Sequence, residues 1–301
     1  MSGFKLLTFL QEERPVAGVL VRDRIYPAEA LLGGTSVRDK TTTLGILNEW
    51  DLALPALTAA ASAPETLEGG IPANAAQLSA PIPNPGAYFC VAANYYKHSA
   101  EITPDRKATR EQREPYFFLK PGRHTTRGPG EAVQVPTVTQ KLDWELELAV
   151  VIGREARNLT VENAMSCVAG YTIVNDLSAR DLARRDDWVF VSDWFGQKVF
   201  DGSMPMGPWI VPASDITDLG DVPLKLWLND EIQQDSTTAD MIFSIPEQIE
   251  YITRRVTLYP GDVIATGSPA GVGAPRGLFL KPGDRLRCEI AGIGSMETPI
   301  I

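Results

Sequence analysis

The sequence predicts a β-dominated, mixed α+β fold in which a small N-terminal α/β domain precedes a larger domain that carries the chemistry. Three observations lead there. From Tyr88 to the C-terminus, eight short apolar runs alternate with Gly/Pro turns. Helical patterning in that region is confined to brief segments. Between the two parts, Ala80-Pro-Ile-Pro-Asn-Pro-Gly86 blocks regular structure and marks a boundary, dividing the chain into residues 1–80 and 81–301.

Ahead of the prolines, Val16–Arg22 reads as a strand, and Thr43–Asn48 and Asp51–Ala61 read as helices. Beyond them, Phe89–Ala93, Tyr116–Leu119, Leu146–Ile152, Tyr171–Val174, Trp209–Val211, Leu224–Leu228, Val263–Thr266 and Arg285–Ile290 read as strands. Each is short, rich in aliphatic and aromatic residues, and bounded by turn formers. Val161–Val168 and Ile245–Thr253 read as short helices. This order does not favour a doubly wound sheet.

The 301 residues are enough to bury a large core, and 44% hydrophobic with 22% charged residues is a soluble globular composition. A formal charge of -10 argues against nucleic acid as a partner, since such binders neutralise phosphates with a basic stripe. The densest basic stretch, Asp105–Glu114, is interleaved with acids and reads as a solvated helix or loop. With no apolar run of about 18 residues and no signal-like N-terminus, neither a membrane nor export is expected. Cys90, Cys167 and Cys288 are odd in number and lack CxxC spacing, so they read as small core residues in a reducing cytoplasm.

The chemistry concentrates in four places. In Leu142-Asp-Trp-Glu-Leu-Glu-Leu148, acids alternate with apolar residues, so Asp143, Glu145 and Glu147 share one strand face and Leu146 and Leu148 the other. Residues two apart on a strand are roughly 6.5–7 Å apart, close enough for both glutamates to reach one ion. Asp176 closes a second apolar run, Gly170–Asp176. Such an all-oxygen set suits Mg²⁺, Mn²⁺ or Ca²⁺ rather than zinc, although the same alternation also describes a half-buried strand with one face to solvent.

The second place is Cys90–Glu101, where His98 and Glu101 lie three apart on what reads as the first turn of a helix. A carboxylate can fix the tautomer of such a histidine, leaving the other ring nitrogen to deprotonate water; a surface ion pair is the plainer alternative. The third is Arg180 followed by Gly196-Gln-Lys198, whose lysine can face an anionic substrate or solvent. The fourth is Thr266-Gly-Ser-Pro-Ala-Gly-Val-Gly273, where small residues let backbone N–H groups approach a ligand carboxylate, or simply form a tight turn.

Taken together, Asn94-Tyr95…His98…Glu101, Phe118-Leu-Lys-Pro121, Asp143-x-Glu145-x-Glu147, Asn175-Asp176-x-x-Ala-Arg180, Gly196-x-Lys198 and Thr266-Gly-Ser-Pro-x-Gly-Val-Gly273 resemble, in order and spacing, the fumarylacetoacetate hydrolase family. The resemblance covers roughly residues 85–301. It implies a β-roll catalytic domain, usually in a homodimer, with one Mg²⁺ or Mn²⁺ per subunit at the positions of Glu145, Glu147 and Asp176; Ca²⁺ can substitute in crystals. It further implies His98 and Glu101 as water activators, Lys198 as a catalytic partner, and Tyr95, Lys120, Arg180, Gln197 and Thr266 as substrate contacts. The expected reaction is C–C hydrolysis of a 2,4-dioxo acid in the breakdown of aromatic compounds or sugar acids. Isomerases of 2-hydroxy-diene-dioates and oxaloacetate-type decarboxylases share the metal site.

Three stretches bear on the substrate. Gly122-Arg-His-Thr-Thr126 departs from the family pattern, and Arg123 or His124 could read a second carboxylate or form a surface turn. Arg184–Phe195 could shape the distal pocket or pack in a dimer. The charged segment Glu101–Glu114 is expected to act as a lid that orders over bound ligand.

Overall fold

The computed structural model describes residues 1–102 and 114–301. Sheet dominates: among the described residues 34% are strand and 24% helix. Among the described residues the main sheet has twelve strands, and its path runs Ile71–Pro72, Arg24–Pro27, Arg14–Val21, Phe4–Gln11, Met204–Pro212, Val168–Asn175, Leu146–Ile152, Val263–Ala265, Ala87–Val91, Phe117–Pro121. Along that path every pairing is antiparallel except Val263–Ala265 with Ala87–Val91. A second sheet orders Glu231–Thr237, Pro223–Leu228, Arg285–Ile290 and Gly294–Pro299, all antiparallel.

Leu146–Ile152 lies mid-sheet and is buried at every residue. Its even-numbered residues, Leu146, Leu148, Val150 and Ile152, pack against Leu224, Leu226 and Leu286 of the smaller sheet. Its odd-numbered Ala149 and Val151 join Leu6 and, from the helix Trp50–Ser62, Trp50, Ala53 and Leu57. The alternation in the sequence is thus a division between two buried faces, with the glutamates at the open end of the odd one. Truncating one of the even-face leucines to alanine would cost about 2–5 kcal/mol.

The proline stretch is irregular between the strands Leu78–Ser79 and Ala87–Val91. Nevertheless Phe4–Gln11 pairs with Met204–Pro212 through Leu6 and Ile210, and one apolar cluster draws on Phe4, Leu6, Val174 and Met206. Sheet and core therefore run across residue 80.

The eight expected strands are present, several longer than their apolar runs; Trp209–Val211, for example, is part of Met204–Pro212. Ile245–Thr253 is a helix opened by a capping box from Ser244 and Glu247. Val161–Val168 is not. Asn163 accepts from the Thr160 N–H at 2.7 Å and turns the chain, only Ala164–Cys167 coils as a 3₁₀ turn, and Val168 is taken into the sheet opposite Ile152. Here sheet pairing and asparagine turn chemistry override a weak helical pattern. All three cysteines are buried and unpaired. The segment read as a solvated helix or lid lies, for residues 103–113, outside the described residues.

Candidate active site

Glu145 and Glu147 enter from the start of Leu146–Ile152, and Asp176 from the residue after Val168–Asn175 on the neighbouring strand. All three are buried, and one carboxylate oxygen from each lies within 4.8 Å of the others. Asp143 shares their parity but not their cluster. The backbone leaves the ladder between Leu142–Asp143 and Leu146, and Asp143 instead accepts from the Gly273 and Ala274 N–H groups at 2.7 and 3.0 Å and from Arg180 at 2.8 Å. The alternative of a solvent-facing acidic face is excluded, since Glu145 and Glu147 are 6% and 2% exposed.

Cations line the cluster. Lys198 Nζ donates to Glu145 at 2.5 Å and to Asp176 at 2.7 Å, and Arg180 donates to Glu145 at 2.7 Å. Burial opposes the charge on Glu145, but the Lys198 and Arg180 charges hold its carboxyl below the usual range. Burial, and then the charges of Asp176 and Glu145, push the Glu147 carboxyl well above it. A hard divalent cation fits this set: the donors are all oxygen, they converge, and they include a carboxyl whose charge its neighbours oppose.

The helix Tyr96–Ile102 carries the dyad. His98 is 3% exposed, its Nδ1 lies 2.8 Å from Glu101 Oε1, and its Nε2 lies 4.0 Å from Glu145 Oε1. Since Glu101 also accepts the Gly271 N–H at 3.1 and 3.2 Å, its carboxylate is fixed as an acceptor, and Nδ1 carries the hydrogen. The ring thus turns Nε2 toward the acids.

The glycine loop 266–273 turns its backbone inward on the protein itself. Its N–H groups hold the protein's own acids: Gly267 donates to Glu147 at 2.6 Å, Gly271 to Glu101 and Gly273 to Asp143. Gly267 and Gly271 have φ of +98° and +106°, and a Cβ at Gly271 would stand 2.1 Å from the Gln233 carbonyl oxygen. One loop therefore sets three carboxylates on three separate elements.

A cavity of about 130 Å³ opens on this assembly, bounded by His98, Glu145, Glu147, Arg180, Gln197 and Lys198, with Ser268 and the Phe118–Trp194 stack at its edge. Asp193 caps the short helix Trp194–Lys198 through the Gly196 N–H, turning Gln197 and Lys198 inward. Three expected substrate contacts lie outside the cavity wall. Lys120 is buried behind Asp176, paired with Oδ1 of that carboxylate, and donates to the Leu177 and Ser203 carbonyls at 3.2 and 2.8 Å; its protons are spent on the protein. The Thr266 hydroxyl donates to the Leu148 carbonyl at 2.8 Å. Tyr95 is fully buried with its hydroxyl unpartnered among the described residues. Arg123 and His124 are exposed on the turn Gly122–Thr125, away from the cavity lining. Sequence reasoning passed over Ser268 and, behind it, Gln234.

The profile of the fumarylacetoacetate (FAA) hydrolase C-terminal family matches residues 87–301, and the chain belongs to that family. Among curated relatives it is 35% identical to a mitochondrial oxaloacetate tautomerase of Xenopus laevis over 269 residues, covering 85% of this chain and 82% of the relative. It is 37% identical to the human mitochondrial oxaloacetate tautomerase FAHD2B over 225 residues, 74% of this chain and 68% of the relative. Among solved structures, a putative HpcE protein from Mycobacterium smegmatis superposes with a TM-score of 0.81 at 31% identity, covering 98% of this chain and 99% of the other. Maleylpyruvate hydrolase from Sphingobium sp. SYK-6, in complex with manganese(II) and pyruvate, gives 0.77 at 29% identity, with 99% and 98% covered.

Proposed function

We propose that this protein is a divalent-metal-dependent hydrolase that cleaves a C–C bond in a 2,4-dioxo acid of the acylpyruvate class, giving pyruvate or a related 2-oxo acid and a second acid. The observation that carries the reading is the dyad: His98 is locked by Glu101 with its free nitrogen across the cavity from Glu145. A metal ion held by Glu145, Glu147 and Asp176, Mg²⁺ or Mn²⁺ with one per subunit, would supply Lewis-acid polarisation of the 2-oxo-carboxylate end. The manganese and pyruvate in the Sphingobium structure support that choice of ion and ligand class.

His98 Nε2 takes a proton from water, and the hydroxide oxygen adds to the distal carbonyl carbon. Arg180 and Lys198 offset the negative charge that develops there and on the substrate carboxylate. The C–C bond then breaks, its electron pair passes into the enolate of the 2-oxo acid, and the proton held by His98 goes to the enolate carbon. Gln197 lines the same cavity and is placed to bind the substrate's tail.

A second reading, keto–enol tautomerisation of an oxaloacetate-like acid, is favoured by the names of the relatives. It needs the same proton carrier without an attacking water. Product analysis of a 2,4-dioxo acid panel and oxaloacetate, with Mg²⁺ or Mn²⁺ and an EDTA control, separates the two. Pyruvate plus a second acid, lost with EDTA, is the expected result. Oxaloacetate enol–keto exchange with every dioxo acid intact would refute hydrolysis in favour of the tautomerase, and carbon dioxide from oxaloacetate alone would indicate a decarboxylase.

The same reading includes a homodimer and a reducing compartment such as the cytoplasm. Trp188, Val189 and Phe190, 64%, 82% and 74% exposed, form an apolar run of the kind subunit contacts cover. Sedimentation at a monomer mass would remove the dimer from the proposal. The animal relatives are named as mitochondrial proteins.

A further inference from the structure

Gln234 is fully buried in the strand Glu231–Thr237, yet its side chain reaches out of that sheet to the acidic strand and the glycine loop. Its Oε1 accepts the Leu146 N–H at 3.0 Å, between Glu145 and Glu147. Its Nε2 donates to the Pro269 carbonyl at 2.7 Å and to Ser268 Oγ at 2.9 Å. The amide cannot be turned over: a backbone N–H at one end requires the oxygen, and a carbonyl at the other requires the nitrogen.

This fixes the direction of the next hydrogen bond. Ser268 Oγ, accepting from Gln234, must place its own hydrogen elsewhere; among the described residues it reaches the Pro269 carbonyl, which also accepts from Gln234, but at 3.5 Å that contact is long enough for a closer ligand acceptor to displace it. Ser268 lines the cavity beside Glu145 and Glu147. We infer that Gln234 is a positioning residue that, by donating to Ser268 Oγ, leaves the Ser268 hydroxyl as a donor for a ligand oxygen in the cavity. The site thereby selects a substrate presenting an anionic or keto oxygen at that point and disfavours one presenting an N–H or O–H. The inference rests on the 2-oxo-acid reading above for its substrate class, and on the amide geometry for its direction.

The test is titration of oxalate into protein saturated with Mn²⁺, alongside steady-state kinetics on the dioxo acid panel. Ser268→Ala is expected to weaken oxalate about tenfold or more, the value of a lost hydrogen bond to a charged acceptor, and to raise KM more than it lowers kcat. Ser268→Thr, which keeps the hydroxyl, should restore binding. Gln234→Glu retains the acceptor for Leu146 but not the donor for Ser268, so the serine hydrogen turns back to it; binding should fall similarly. In a Ser268→Ala background the same change should add little. Equal losses from Gln234→Glu in both backgrounds would show a purely structural role and overturn the inference. So would wild-type oxalate affinity in Ser268→Ala, a single-oxygen deletion that stands as the test should Gln234→Glu fail to fold. If no acid in the panel turns over but oxalate binding follows the expected pattern, the hydrolase reading falls and this inference stands; turnover with unchanged oxalate binding gives the reverse.

Discussion

Replacing Glu147 with glutamine should change stability in opposite directions with and without metal. In metal-free protein its carboxylate lies within 4.8 Å of those of Glu145 and Asp176. Once the pH is high enough to ionise Glu147, each like-charge pair at that spacing costs about 3 kcal/mol at an effective dielectric constant of about 20. Lys198 and Lys120 offset part of this, leaving roughly 1–2 kcal/mol to be recovered by Glu147→Gln. The new amide oxygen can still accept the Gly267 N–H, and its nitrogen can donate to the acids that Glu147 repels. At 2–4 °C per kcal/mol, Tm in EDTA should rise by roughly 2–8 °C at a pH where wild-type Glu147 is ionised, and by less at acid pH. In the wild type, metal at about 100 times Kd adds about 2.7 kcal/mol, or roughly 5–10 °C, and Glu147→Gln should lose most of that increment. The sign with pH follows from the raised carboxyl. Glu147 holds its proton more tightly folded than unfolded, so its contribution favours the fold at acid pH and is lost as pH rises through the folded-state value. The variant should lack that part of the alkaline decline. Thermal melts in EDTA and in Mn²⁺ across pH 5–9 are the assay, the range being set about neutrality. A lower Tm in EDTA, or an undiminished metal shift, would refute the reasoning.

Three further outcomes are expected. His98→Ala should lose about 10²–10⁴-fold in turnover while keeping the full metal-induced melting shift, because no metal-facing oxygen is removed; undiminished hydrolysis would sink the dyad. Gly271→Ala, strained by a φ of +106° and by the Gln233 carbonyl 2.1 Å from its new Cβ, should lose about 2 kcal/mol or more in a denaturant melt and release Glu101 from its N–H. Burial pushes the thiols of Cys167 and Cys288 up to about 11 and about 12, and that of Cys90 well above its usual value, so native protein at pH 8 should react slowly with a disulfide reagent and fast only when unfolded.

The acidic strand was legible because its alternation is strict and Asp176 ends an apolar run, and both signals survive folding as buried strands. The dyad was legible from spacing, since a three-residue step on a helical turn needs no tertiary information. Lys120 was expected at the substrate, but a lysine in an aliphatic strand gives no sign of which side its ammonium emerges on, and here it emerges behind Asp176. The glycine loop was recognised but its target was not, because sequence cannot say whether backbone N–H groups face a ligand or the protein's own carboxylates. Gln234 carried no local signal. Glu231-Ile-Gln-Gln-Asp-Ser-Thr237 is polar along most of its length, as suits an edge strand, and its one fully buried amide is defined by contacts with residues 34, 35 and 88 positions away.

The charge of the buried cluster constrains what can enter it. Asp143, Glu145, Glu147 and Asp176 face three cations, Lys120, Arg180 and Lys198, so full ionisation leaves one negative charge in excess. A proton on Glu147 removes that excess, which accounts for the direction in which burial and its neighbours push its carboxyl. A divalent ion replacing that proton turns the cluster net positive by one, and a monoanionic 2-oxo carboxylate then restores neutrality. Binding should therefore be ordered, metal before anion, because the metal-free cluster has no uncompensated positive charge to offer and a desolvated anion is costly without one. Pyruvate titrated into EDTA-treated protein is expected to give no saturable binding, and Mn²⁺ should create it. Equal pyruvate affinity in both states would mean that the anion is held away from the carboxylates, and the assignment of this cavity as the substrate site would fall with it.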